Sequence, residues 1–177
     1  IPVILVICSN RYKMIRKANK TDSINLAALS IQVWLHTYAS EGIRKEISFF
    51  ALKTFTEEYF NNLIDDPNYR ILVFIKENHL VGYILANLES FWQDQSNGYE
   101  VDKLYVQEHF QGKGIGRKLL SELAVRYGET FWLSSWVHNE KAISFYKYFG
   151  FVDIGHTYFE LDKDELHENR ILVYRTT

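Results

Sequence analysis

Residues 111–120 read Gln111-Gly112-Lys113-Gly114-Ile115-Gly116-Arg117-Lys118-Leu119-Leu120. Three glycines fall within five residues, and glycine gives up more conformational entropy on folding than any other residue. A plain turn does not require that loss, whereas close approach of an anion to the backbone does. A helix is predicted to follow at once, with Ile115, Leu119, Leu120, Leu123 and Tyr127 on one stripe and Gly128 as its stop. The first N–H groups of a helix lack intrahelical acceptors and sit at the positive end of its dipole. Lys113, Arg117 and Lys118 add charge at that end. The segment describes a pyrophosphate cradle; the plainer reading is a glycine-rich turn that only starts a helix. Two other phosphate loops are excluded. The G-x-G-x-G spacing does not satisfy the dinucleotide fingerprint G-x-G-x-x-G, and no G-K-[ST] follows.

Working outward, the strand Tyr99–Val106 precedes the cradle, and its alternation falters at Asp102-Lys103-Leu104, which marks a bulge. Before it, residues 71–75 and 80–88 are β-rich and joined by the polar turn Lys76-Glu77-Asn78-His79, the pattern of a hairpin. After the cradle helix, residues 131–137 form a strand with apolar residues on both faces, as in a strand covered on both sides. Asn139 can cap a helix through Ala142, Ile143, Phe145, Tyr146 and Phe149, with Gly150 and Phe151 composing a left-handed stop. Strands near residues 157–161 and 170–174 flank an acidic turn. Nearer the N-terminus, Thr21-Asp22 opens a helix carrying Ile24, Ala27, Ala28, Ile31, Trp34, Leu35 and Tyr38, which Ser40-Glu41-Gly42 interrupts. Thr54-Phe55-Thr56-Glu57 reads as a capping box for a second helix bearing Phe55, Tyr59 and Leu63. The order is strand, two helices, three strands, helix, strand, helix, two strands. That is an α/β domain whose sheet must be mixed, because hairpins and crossovers alternate.

The 177 residues suit one ordinary domain, and 47% hydrophobic content excludes disorder as the main state. Lys and Arg number 20 against 22 Asp and Glu, a net charge of −2, so no global basic field favours nucleic acid. Cys8 is the only cysteine, which makes a reducing cytoplasm the default and a nucleophilic cysteine unsupported. The six histidines lack paired metal-ligand spacing and read as surface or helix-end residues, so no metal is expected. No apolar run approaches the ~18–20 residues of a membrane span. The apolar residues 1–8 lack the flanks of a signal peptide. Met14 is the only methionine, and the domain is placed at 14–177, with 1–13 as an extension or an ordinary first strand. A homodimer is compatible with that apolar segment joining an interface.

Val106-(x4)-Gln111-Gly112-Lys113-Gly114-Ile115-Gly116 with Arg117 resembles the acetyl-CoA motif (Q/R-x-x-G-x-G/A) of the GNAT acyltransferase superfamily. The stretch Asn139-Glu140-Lys141-Ala142-Ile143-Ser144-Phe145-Tyr146-Lys147-Tyr148-Phe149-Gly150-Phe151 is similar to that family's second signature, N-x-x-A-x-x-F-Y-x-x-x-G-F. The element order also fits. A finer resemblance, to bacterial spermidine/spermine N-acetyltransferases of the protease-regulator type, lies in three places. They are Trp34-(x3)-Tyr38, the strand Tyr99–Val106, and Phe131-Trp132-Leu133-(x2)-Trp136-(x2)-Asn139.

The resemblance implies a mixed, mostly antiparallel sheet splayed between the strands near 99–106 and 131–137, with acetyl-CoA in the slot. It assigns the pyrophosphate to the amides of Gly112, Lys113, Gly114, Ile115 and Gly116, with Arg117. Leu104 and Val106 would pair with the pantetheine arm as a neighbouring strand does, and Tyr105, Gln111 and Tyr146 are counted among the cofactor-binding residues. Asn139 would cap its helix and meet the cofactor arm. Tyr146 is implied to be the general acid, since a phenol near pKa ~10 is protonated at neutral pH; from the residues alone it reads as a core tyrosine. Glu100 is the candidate base, with Asp102 on the same face if the strand is regular and separated from it if the strand bulges; either also reads as a solvated edge carboxylate.

Charge is uneven along the chain. Residues 77–102 hold five acids (Glu77, Glu89, Asp94, Glu100, Asp102) and no Lys or Arg, while residues 112–126 hold four bases (Lys113, Arg117, Lys118, Arg126) and one acid, Glu122. The basic block suits phosphates. The acidic block, with Glu41, Glu46, Asp162, Asp164, Glu165 and Glu168, suits a cationic acceptor, or is a solvated loop. Trp34, Tyr38, Phe91, Trp92 and Asp102 are candidate acceptor contacts, the aromatic rings being able to stack on alkyl-ammonium groups. The expected activity is acetyl transfer to a small cationic amine, polyamines first. The alternatives are a peptide amino group, an aminoglycoside, and a CoA-binding module without catalysis.

Overall fold

The computed structural model describes residues 13–162 and 165–175. The expectations for residues 1–8 and Cys8, and for the side chains of Asp162, Asp164 and Glu165, lie outside what it describes. The described residues form a seven-stranded sheet in the order β1-β2-β3-β4-β5-β7-β6. In chain order the elements are β1 (Lys13–Lys17), α1 (Ser23–Tyr38), α2 (Lys45–Thr54), α3 (Glu57–Asp65), β2 (Tyr69–Lys76), β3 (His79–Asn87), β4 (Tyr99–Val106), α4 (Ile115–Tyr127), β5 (Phe131–Trp136), α5 (Glu140–Phe149), β6 (Val152–Asp162) and β7 (Glu165–Tyr174). Neighbours are antiparallel except β4 and β5, which run parallel. Among the described residues no helix is long and apolar enough to cross a membrane.

Three helices precede the hairpin, one more than the sequence predicts. Residues 45–54 form α2, which buries Ile47 and Ala51, and Thr54 closes that helix rather than opening the next. The cap of α3 is Thr56, whose hydroxyl accepts the Tyr59 N–H at 3.1 Å. β6 and β7 are also longer than predicted, 11 and 10 residues. The hairpin turn takes positive φ at both Glu77 (50°) and Asn78 (65°), the twist that suits a two-residue connection between antiparallel strands.

Two cores lie on opposite faces of the sheet. On one, α4 and α5 cover Leu72, Ile84, Val101, Phe131, Leu133 and Leu172. On the other, α1, α2 and α3 cover Ile71, Val73, Tyr83 and Leu85. Ser30 of α1 anchors the second face by a 2.7 Å hydrogen bond to the buried Tyr83 hydroxyl. The start of α1 is fixed by Asp22, which accepts two hydrogen bonds from Arg16 of β1 at 2.7 and 2.8 Å and one from the Asn19 N–H at 2.9 Å.

β4 and β5 pair at only two positions, Tyr99 with Phe131 and Glu100 with Trp132, and then part. Gly98 lets them start together. A Cβ there would lie 1.9 Å from the Thr130 carbonyl oxygen, and its φ of +72° disfavours any side chain. The predicted bulge is present. Leu85 faces Lys103 while Ala86 faces Val101, which leaves Asp102 as the extra residue.

Candidate active site

The parting of β4 from β5 opens an edge of β4 about 20 Å long between Glu100 and Val106, at ~3.3 Å per residue. The Gln107 N–H donates to Val81 of β3 at 3.0 Å. Alternation along the strand therefore turns the backbone polar groups of Leu104 and Val106 toward the open edge and those of Tyr105 toward β3. The Val106 carbonyl accepts the Gln111 side-chain amide at 3.0 Å, so Gln111 ties the glycine loop to the strand's end.

At that end α4 begins. Gly114 is its N-cap in the left-handed region (φ 76°) and supplies no side-chain cap. The amides of Gly112, Lys113, Gly114, Ile115, Gly116 and Arg117 have no acceptor within the described residues. Gly112 shares the positive φ (70°), and a Cβ built on either glycine meets nothing within 4 Å. Gly116 serves a different need: its Cβ would meet the Phe145 ring at 3.2 Å and Leu104 at 3.7 Å, so glycine there lets α4 sit against α5 and β4. A row of unpaired donors, open space and the adjacent Arg117 and Lys118 make a donor set that fits a diphosphate. Lys113 is turned back, its ammonium donating to the His109 carbonyl at 2.6 Å beside the Phe110 ring.

Asn139 caps α5, its Oδ1 accepting the Ala142 N–H at 3.3 Å. Tyr146 lies on the inner side of that helix, 9% exposed, between the rings of Phe145 and Phe151, each 5.3 Å away. Burial pushes its hydroxyl far above the usual phenol range, so it is protonated throughout the neutral region.

The α1–α3 face of the opened strands carries the other predicted groups. Tyr99 and Val101 face the α4–α5 core, and Glu100 faces the opposite way. It sits at the last paired position before the strands part, half-buried. Burial raises its carboxyl above the usual carboxylate value; a hydrogen bond with Ser90 opposes that, as does the charge of Lys103, while the Asp102 charge adds to it. Beyond the bulge Lys103 and Tyr105 share that face, with Lys103 Nζ 2.7 Å from Asp102 Oδ2. Tyr105 packs as a ring of the α1–α3 core, 5.6 Å from Tyr83, on the side away from α4.

Trp34 is 6% exposed and stacks on Phe50 at 4.2 Å, which places it in the core rather than on the surface of the cleft. Tyr38 lies above it and spans the opening, 5.1 Å from Trp136 and 6.0 Å from His167. Burial pushes the Tyr38 hydroxyl up to about 12, against the charge of Lys103. Trp92 folds onto Trp132, Ile171 and Val173, and Phe91 beside it is solvent-exposed. The Trp132 indole donates to the Ser90 carbonyl at 3.1 Å, so the 88–98 loop is held over the face that carries Glu100. The sequence offers Trp136 only as part of a motif and His167 only as a surface or helix-end residue, yet both rings lie against Tyr38. The antiparallel β5–β7 pairing, with Trp136 opposite Asn169, brings His167 from the strand beyond β5 to 5.5 Å from the Trp136 ring. The acidic run does not gather: Glu77 lies in the β2–β3 turn at the cradle end, and Asp94 caps a turn in the 88–98 loop. Of the five acids, Glu100 and Asp102 reach the opening. Among the described residues no group of three His, Cys, Asp or Glu side chains is placed to hold a metal.

The profile of the acetyltransferase (GNAT) family matches residues 37–151. An uncharacterized N-acetyltransferase of Lactobacillus delbrueckii subsp. lactis is 25% identical over 156 residues, 84% of this chain and 89% of that protein. The spermine/spermidine N(1)-acetyltransferase of Bacillus subtilis strain 168 is 33% identical over 94 residues, which are 49% of this chain and 62% of that enzyme. Among solved structures, the PaiA N-acetyltransferase of Thermoplasma acidophilum in complex with coenzyme A has the same fold, with a TM-score of 0.72 at 21% identity over 90% of this chain and 98% of that one.

Proposed function

The chain belongs to the acetyltransferase (GNAT) family and is an acetyl-CoA-dependent N-acetyltransferase, and from that premise we propose that it acetylates a primary amine of a small cationic acceptor, polyamines first. The observation that carries the reading is the opening between β4 and β5. One end of it holds the unpaired amides of residues 112–117, and the other holds Glu100 under aromatic rings. The polyamine preference is supported by the stretch shared with the Bacillus enzyme and by the negative charge of Asp102 acting on Glu100 at the fork.

Acetyl-CoA supplies the acetyl group as a thioester, already activated for attack by an amine. The chain's own groups do the rest. Gly112, Lys113, Gly114, Ile115 and Gly116 donate backbone N–H groups to the diphosphate, with Arg117 adding charge. Leu104 and Val106 offer strand-like hydrogen bonds along the open edge of β4. Glu100 takes a proton from the acceptor's ammonium, directly or through water, so that a neutral amine attacks. Its half-buried carboxyl is more basic than an exposed one, which suits that task. Tyr146 holds a proton at Oη for the departing sulfur, and Asn139 fixes the start of the helix that positions Tyr146.

The test is thiol release from acetyl-CoA across polyamines, N-terminal peptides and aminoglycosides. Release with polyamines at the highest kcat/KM is the expected result. Release with peptides alone would move the acceptor class, and coenzyme binding without release on any amine would leave a binding module.

A further inference from the structure

The bulge in β4 sets a cation, Lys103, against the carboxylate of Asp102 next to the fork. Asp102 is the extra residue, and after it Lys103 returns to the face that carries Glu100. The Lys103 side chain is 13% exposed; its Nζ lies 2.7 Å from Asp102 Oδ2 and 5.8 Å from the centre of the Tyr59 ring. Glu100 and Asp102 stand two residues apart with the bulge between them, near enough that the Asp102 charge raises the Glu100 carboxyl. A diamine bound with one nitrogen at Glu100 would direct its second ammonium to Asp102, the carboxylate that Lys103 already holds.

We propose that Lys103 is a resident stand-in for the acceptor's second ammonium and sets how strongly the enzyme discriminates between diamines and monoamines. The proposal rests on the amine-acceptor reading given above and adds a residue to it. A polycation must displace Lys103 from Asp102 or bind with its second charge beside a like charge, and both cost affinity. A monoamine needs only Glu100. Lys103 touches neither cofactor nor reacting atoms in this account; it acts through Asp102.

The experiment compares 1,4-diaminobutane with butylamine, by kcat/KM in the thiol-release assay and by calorimetric binding without turnover. In Lys103→Met the diamine-to-monoamine ratio should rise about ten-fold, the scale of one removed charge at a partly screened site. Lys103→Arg should keep the wild-type ratio, and Asp102→Asn with Lys103→Met should lose the gain, because the freed carboxylate is gone. A ratio in Lys103→Met that stays within two-fold of wild type, or falls, overturns the proposal. A purely structural role would lower both acceptors together and leave the ratio unmoved. The two ideas fail separately. Absence of thiol release from wild type with every amine refutes the acceptor reading. Diamine binding to Lys103→Met that is no tighter than to wild type refutes the role of Lys103.

Discussion

Replacing Gly114 by alanine separates two roles that one glycine plays. Gly114 is the N-cap of α4 at φ 76°, ψ 9°. An alanine in that left-handed region costs about 1–2 kcal/mol, part of which is returned by a less free unfolded chain. A net loss of ~1 kcal/mol corresponds to roughly 2–4 °C in Tm for a domain of this size. The methyl group itself meets nothing within 4 Å, so no clash adds to this. It stands in open space on the loop whose six amides lack acceptors, and if that loop cradles a diphosphate the methyl holds it away from at least one donor. Losing one hydrogen bond to a charged group is worth about 1.5–3 kcal/mol, or roughly 10- to 150-fold in Kd. Gly116→Ala is the control: its methyl presses on the Phe145 ring at 3.2 Å from within the helix and points away from the amides. Calorimetric titration with coenzyme A and a thermal melt on both variants decide the matter. If Gly114→Ala loses its few degrees but binds coenzyme A within two-fold of wild type, the glycine serves only the turn and the cradle reasoning is wrong.

Glu100→Gln should move activity and stability in opposite directions. Burial raises the Glu100 carboxyl, so its contribution to stability is full below the ordinary carboxylate pKa and is lost as pH rises through the raised value. The variant should be at least as stable as wild type near pH 7 by urea denaturation, while its kcat/KM falls and the acidic limb of the pH profile disappears; full activity would remove Glu100 as the base. Tyr146→Phe should keep coenzyme A affinity and lower kcat ten-fold or more, and unchanged turnover would take Tyr146 out of the mechanism. Asp22 behaves in the reverse sense to Glu100, because the Arg16 guanidinium holds its carboxyl below the usual range. That stability is present above the ordinary carboxylate pKa and is lost as pH falls through the lowered value. Asp22→Asn should therefore cost about 1.5–3 kcal/mol at neutral pH, with the gap from wild type closing in acid.

What the sequence reveals follows from how local each signal is. The glycine loop, the Asn139 cap, the Gly150 stop and the bulge at Asp102 are each written within a few consecutive residues, and all four stand where expected. α2 escapes because its buried stripe is short and Thr54 mimics a cap, when the cap belongs to Thr56. The roof of the opening is harder still. Tyr38, Trp136 and His167 meet only because β7 inserts between β5 and β6, a choice of strand order that no local pattern records. Trp34 and Tyr38 look equivalent on one helical stripe, yet one is core and the other spans the cleft. Composition likewise cannot tell that Glu77 and Glu100, members of one acidic run, end up at opposite ends of a strand pair.

The bulge in β4 amounts to a phase shift in a two-letter code. Before Asp102 the odd positions, Tyr99 and Val101, spell the core beneath α4 and α5; after it the even positions, Leu104 and Val106, take over. Were Asp102 to take a regular place in the strand, every residue beyond it would change faces. Lys103 and Tyr105 would be driven into the hydrophobic layer, and Leu104 and Val106 would be turned out toward the opening. Losing Asp102 altogether would instead close the bulge and leave both faces as they are, because Val101, Lys103 and Leu104 already alternate without it. The inserted residue is thus a spacer that both faces can do without, provided it never joins the alternation.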